Sequence, residues 1–171
     1  MITHASTYGL FDREILAITS MVHYDGGQCY IDGANMNAMV GYTAPGCIGG
    51  DVCRLIYQNV FNSRGGDGPG MGPIAVRQHL ASFLPRSVFI ENVGGSQPFG
   101  HVSQAAYGSA SIPPVPYLLL WMLGSRGLKK CTGYAILNAN YLKKRPDGHC
   151  PVLFLEENDF CAHEFIIDKA I

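Results

Sequence analysis

A short apolar run, Gln28-Cys29-Tyr30-Ile31-Asp32, is introduced by Gly26-Gly27, closed by Gly33, and preceded by Phe11, Ile15, Ile18 and Val22 at helical spacing. A helix face followed within a few residues by a buried strand requires an architecture in which helices cover a sheet. Asp12 and Glu14 suit the positive end of that helix, and the glycine pair ends it. The pattern continues with strands at residues 52–57 and 73–77, helices at 115–123 and 128–144, and closing strands at 152–155 and 161–167. The last helix carries Tyr134, Leu137 and Tyr141 on one face and Lys143, Lys144 and Arg145 at its end, where Pro146-Asp147-Gly148 stops it. Alternation of this kind predicts an α/β fold with a largely parallel sheet, and neither an internal repeat nor an interdomain linker interrupts it.

With 171 residues, 47% hydrophobic and 15% charged, the chain has enough apolar content for one domain with a buried core. Its net charge is -1 and its longest basic run is Lys143-Lys144-Arg145, which excludes a nucleic-acid or anionic-membrane surface. The apolar stretch from Ile112 to Leu123 contains three prolines, falls short of the roughly 20 residues that span a bilayer, and reads as a buried helix. No targeting segment is visible at the N-terminus, so a cytoplasmic location is expected. Cysteines at 29, 47, 53, 131, 150 and 161 form no Cys-x-x-Cys pair and join no histidine at ligand spacing. Reduced thiols and no metal site are expected.

Asp32 is the leading functional candidate on physical grounds, because ligands of open α/β sheets collect at the carboxyl ends of strands. A turn-capping role for the same side chain weighs equally. The glycine-rich segment from Gly65 to Gly72 lacks the Gly-Lys-Ser/Thr ending of a phosphate loop and reads as a tight connection. Gly108-Ser109-Ala110-Ser111 offers hydroxyls ahead of a helix, either as an anion site or as an N-cap. Asn138, Asn140 and the histidines read as structural polar groups.

Four ordered segments carry a resemblance: Asp32-Gly33-Ala34-Asn35-Met36-Asn37-Ala38, Gly68-Pro69-Gly70-Met71-Gly72-Pro73-Ile74, Gly108-Ser109-Ala110-Ser111-Ile112 and Ala135-Ile136-Leu137-Asn138-Ala139-Asn140-Tyr141. With shorter matches such as Gly26-Gly27-Gln28 and Ala162-His163-Glu164, they make nearly the whole chain resemble the P protein of the glycine cleavage system, glycine dehydrogenase (decarboxylating). The resemblance implies a piece of the C-terminal half of that family, with residues 1–171 forming a single partial cofactor domain of the aminotransferase-like, fold type I class. It implies pyridoxal phosphate as the family's cofactor. The lipoyl-bearing H protein and a second P protein subunit or half are the implied partners. A eukaryotic member would work in the mitochondrial matrix. By the same resemblance Asp32 is the carboxylate facing the pyridine nitrogen, Ala34 lies beneath the ring, and Ser109 and Ser111 stand among the cofactor-binding positions.

The family holds its cofactor as a Schiff base on a lysine in a His-Lys-Thr-Phe segment. The corresponding run here is Gln58-Asn59-Val60-Phe61, and no lysine precedes Lys129. Asn59 has no amine to form an imine, so covalent holding of the cofactor is lost and its binding by this chain is not expected to be firm. His4-Ala5, where the family has Tyr-Pro, and Tyr8, where it has histidine or asparagine, depart near the same place. The expected function is that of a catalytically silent portion of the enzyme. The alternative is a non-catalytic assembly module that pairs with an intact subunit.

Overall fold

The computed structural model describes residues 1–56, 71–91, 93–102, 110–145 and 150–168. Ile31, with no exposed surface, anchors strand β2 (Tyr30–Gly33) at the centre of the core. Around it pack Ile15, Met39, Ile48 and Cys53, flanked by Ile2, Met36 and Leu55. Strands β1 (Ile2–Thr3), β2, β3 (Val52–Leu55) and β4 (Ile74–Val76) lie in that order in one sheet. The first three are parallel, with Ile2 opposite Ile31 and Ile31 opposite Cys53, and β4 runs antiparallel with Ala75 opposite Cys53. The sheet is therefore mixed and mostly parallel, as expected. The two-residue β1 was not foreseen, since it is too short to show a period.

Helix α1 (Ile15–Tyr24) starts later than the residue pattern suggested, because the Asp12 side chain accepts the Glu14 N–H at 2.9 Å and shapes a turn ahead of it. Its inward face is Ile15 and Thr19, and Thr19 is satisfied by donating to the Ile15 carbonyl at 2.9 Å. The helix ends at the glycine pair, where the Gly27 N–H returns to the Val22 carbonyl at 2.8 Å.

Helix α2 (Pro114–Lys144) is broken at Gly124, whose φ of 59° and ψ of 179° no helix contains. The two arms match the two helices expected there, and glycine is the residue that tolerates the break. Their facing differs from expectation. The buried positions are Pro116, Thr132, Ala139 and Lys143, whereas Tyr134, Leu137 and Tyr141 lie 58–61% exposed. Tyr117, Trp121 and Met122 of the first arm are likewise exposed, so the apolar run from Ile112 to Leu123 is not a buried helix in this chain. Lys143 stands in the last turn of the helix, as the sequence suggests, and its side chain is buried and pairs with the Asp159 carboxylate at 2.9 Å. Of the two closing strands, the described residues form one antiparallel bridge between Val152 and Ile167. Backbone bonds such as Ala162 N–H to the Gly9 carbonyl at 2.7 Å hold the segment together with the Asn140 side chain, whose Nδ2 donates to the Cys161 carbonyl at 2.7 Å and whose Oδ1 accepts the Cys161 N–H at 3.0 Å.

Among the described residues no helix is long and apolar enough to cross a membrane.

Candidate functional site

Asp32 stands next to last in β2, at the strand's carboxyl end. Gly33 follows because β3 passes so close that a Cβ there would meet Cys53 Sγ at 2.6 Å and the Arg54 carbonyl at 2.7 Å. The chain then turns, and Asp32 Oδ1 accepts the Ala34 N–H at 3.0 Å. A second turn of the same type follows, with Asn35 Oδ1 accepting the Asn37 N–H at 3.1 Å. The turn-capping reading of Asp32 is what the structure shows: it shapes its own turn with one oxygen, and among the described residues no donor engages the other.

The structure adds a neighbour from the far end of the chain. Asn35 Nδ2 donates to His163 Nε2 at 2.7 Å across 128 residues of sequence. Accepting that bond makes the neutral His163 the tautomer with its proton on Nδ1, a buried nitrogen without a hydrogen-bond partner among the described residues. Burial pushes the His163 pKa below its usual value, with the Glu164 carboxylate 3.7 Å away opposing the shift. Sequence reasoning quoted both segments but left His163 as an isolated structural histidine, because a contact so distant in sequence leaves no local signal. Ala162, fully buried against Ala5 and Ala38, delivers His163 to this place.

Ser111 is exposed, and Pro113 rather than a serine occupies the N-cap of α2, with no side-chain cap. No hydrogen bond among the described residues joins Ser111 to Asp32. Asn59 and Ser109, and the glycine-rich segment up to Gly70, lie outside the described residues. A cavity of about 240 Å³ beside the sheet is lined by Met36, Pro45, Asp51, Val52, Leu55 and Arg77, among others, without Asp32 or Ala34. It is not the pocket expected at Asp32.

The comparisons agree with the segments that carried the resemblance. The family described as "Glycine dehydrogenase, C-terminal domain" matches residues 131–170. The chain is 49% identical to the mitochondrial glycine dehydrogenase (decarboxylating) of Solanum tuberosum and 48% identical to that of Dictyostelium discoideum, each over 98% of its own length. It is 51% identical to the glycine dehydrogenase (decarboxylating) of Shewanella baltica, also over 98% of its length. It spans only 17–18% of the length of these relatives. Among solved structures, a complex of SepCysS with the SepCysE N-terminal domain matches at a TM-score of 0.57 and 12% identity, covering 90% of this chain and 38% of that one. At that identity the likeness shows the fold alone, which is the partial aminotransferase-like, fold type I arrangement of the sheet. With half of its residues shared across almost its whole length, the chain belongs to the glycine dehydrogenase (decarboxylating) family and corresponds to part of its C-terminal half.

Proposed function

We propose that this chain is a single partial cofactor domain of glycine dehydrogenase (decarboxylating) that does not catalyse the reaction by itself. In the whole enzyme, glycine is decarboxylated with pyridoxal phosphate and the aminomethyl group passes to the lipoyl arm of H protein. The observation that carries the reading is Asn59 where the family places its cofactor-holding lysine. An amide nitrogen is delocalised into its carbonyl and is no nucleophile.

The residues present fit half of the cofactor's needs. Asp32, at the carboxyl end of β2 with one oxygen free of its own turn, suits a carboxylate that keeps a pyridine nitrogen protonated, the state in which pyridoxal phosphate serves as an electron sink. They do not fit covalent attachment. No lysine precedes Lys129, and of the described lysines, all on α2, Lys129 lies over the Tyr42 ring at 4.9 Å, Lys143 is buried against Asp159, and Lys130 and Lys144 are exposed. No catalytic step therefore follows from this chain's own residues.

A specific observation favours a second reading, an assembly module that pairs with an intact subunit. The apolar residues Tyr117, Leu118, Trp121 and Met122 on the first arm of α2 are 52–78% exposed, a face suited to contact with another polypeptide. Borohydride reduction of the purified chain with pyridoxal phosphate, followed by peptide mapping, tests the first reading. No stoichiometric pyridoxyl-lysine and no glycine exchange with H protein are expected. One labelled lysine together with measurable exchange would overturn it. Co-purification with a full-length glycine dehydrogenase tests the second.

A further inference from the structure

At the amino ends of the strands, opposite the Asp32 edge, three elements bring together a second group of polar side chains. His23 comes from the last turn of α1, Cys29 precedes β2, and Asp51 precedes β3. The best-placed donor atoms of the three lie within 4.8 Å of one another. Asp51 is 5% exposed and Cys29 3%, while the His23 side chain is 35% exposed and opens the group to solvent. Backbone pairing fixes the two buried members, since the Asp51 N–H donates to the Cys29 carbonyl at 2.8 Å and the Cys29 N–H to Asp51 Oδ2 at 2.8 Å. His23 Nε2 reaches the same carboxylate oxygen at 2.6 Å.

We propose that His23, Cys29 and Asp51 form a binding site for a borderline divalent cation of the zinc or cobalt kind. One imidazole nitrogen, one thiolate and one carboxylate are the donor types such ions take, at about 2.0–2.3 Å from the metal in tetrahedral array. A tetrahedron of that size separates its ligands by roughly 3.3–3.7 Å, so the 2.6 Å His23–Asp51 contact opens slightly while the three donors stay within their present span. On binding, the Cys29 thiol proton leaves to solvent, and His23 presents Nε2 as the lone-pair nitrogen with its proton on Nδ1. The fourth position faces outward. His79 is the nearest further donor, its Nε2 3.9 Å from Asp51 Oδ1.

Charge is compatible with this occupant. The thiolate and carboxylate together offset the dication. Arg77 approaches Asp51 Oδ1, not the Oδ2 that His23 and Cys29 share, at 3.6 Å, and gives hydrogen bonds to the Gly50 and Gly46 carbonyls at 2.9 Å each.

Cobalt(II), followed by zinc competition, tests the site on the purified chain after chelator treatment. The expected result is one tightly held equivalent with a thiolate-to-cobalt charge-transfer band, displaced by zinc. Cys29→Val keeps a small apolar side chain in the core and should abolish the band. His23→Gln, at a partly exposed position and with an amide that can still donate to Asp51, should weaken binding by about 10-fold or more, with the unfolding midpoint followed as the control for the fold. Absence of the band overturns the proposal. So does a band that survives Cys29→Val, which would assign the metal to another thiol such as the exposed Cys47 or Cys131, or binding that His23→Gln leaves unchanged.

Discussion

At the scale of single residues, burial decides the protonation of two histidines, and through it the acid side of the stability curve. His4 and His163 both have pKa values lowered chiefly by desolvation, with Asp12 and Glu156 opposing the shift at His4 and Glu164 at His163. The unfolded chain takes up these protons near the ordinary histidine value while the folded chain resists them, so stability falls as pH drops below about 6.5. Asp51 acts lower on the scale. Burial alone would raise its pKa, yet the Cys29 N–H, His23 and Arg77 together hold it below the usual carboxylate value. Its contribution is full above the ordinary carboxylate pKa and is lost only as pH falls through the lower folded one. Urea unfolding followed from about pH 7 to pH 5 should show declining midpoints, with a shallower decline in His163→Gln, whose side-chain oxygen can still accept from Asn35. Equal slopes in the two proteins would remove His163 as a source of the effect. Asp32 was legible in the sequence because its turn is local; the Asn35–His163 contact was not, because the fold alone joins its halves.

At the scale of elements, α2 shows how far periodicity reaches. The sequence places two helical segments at 115–123 and 128–144, and the structure puts the break between the arms at Gly124. Which face turns inward was not legible, because the apolar stripe of Tyr134, Leu137 and Tyr141 is a stronger signal than Thr132, Ala139 and Lys143, yet only the second set is covered. The antiparallel direction of β4 was hidden for a related reason: three residues give a period but no polarity. The inward arm of α2 makes its most specific contact through Asn140, which donates to the Ile136 and Cys161 carbonyls and accepts the Cys161 N–H. Cys161 is 2% exposed, so water cannot replace these partners. Asn140→Ala should destabilise the chain by about 1–3 kcal/mol in chemical denaturation. Asn138→Ala, which removes none of these bonds, is the control and should change stability by much less. Because Ala is the better helix former, propensity favours both variants, and a similar loss in both would show that the tie to Cys161 does not set the cost.

At the scale of the whole molecule, the distribution of exposed apolar surface governs behaviour in solution. Tyr117, Trp121 and Met122 are 67–78% exposed on one helical arm, and Tyr134, Leu137 and Tyr141 are 58–61% exposed on the other. Monomeric proteins rarely leave contiguous apolar patches larger than a few hundred Å² to water, since burial recovers roughly 25 cal/mol per Å². Among the described residues nothing covers these side chains, although the apolar pattern of α2 reads as core from sequence. Self-association through α2 follows, whichever function the chain serves. Sedimentation over a range of concentrations should show growing mass, accompanied by binding of an apolar fluorescent dye. The paired change Trp121→Lys and Met122→Glu introduces opposite charges at two of its most exposed positions without touching the buried Pro116, Thr132, Ala139 and Lys143. It should shift association to higher concentration by at least about tenfold, which corresponds to roughly 1.4 kcal/mol, and reduce dye binding, while leaving the unfolding midpoint of the monomer nearly unchanged. Unaltered association in that variant would place the contact elsewhere, on the exposed outer face of α1 that carries Leu16, Met21 and Tyr24.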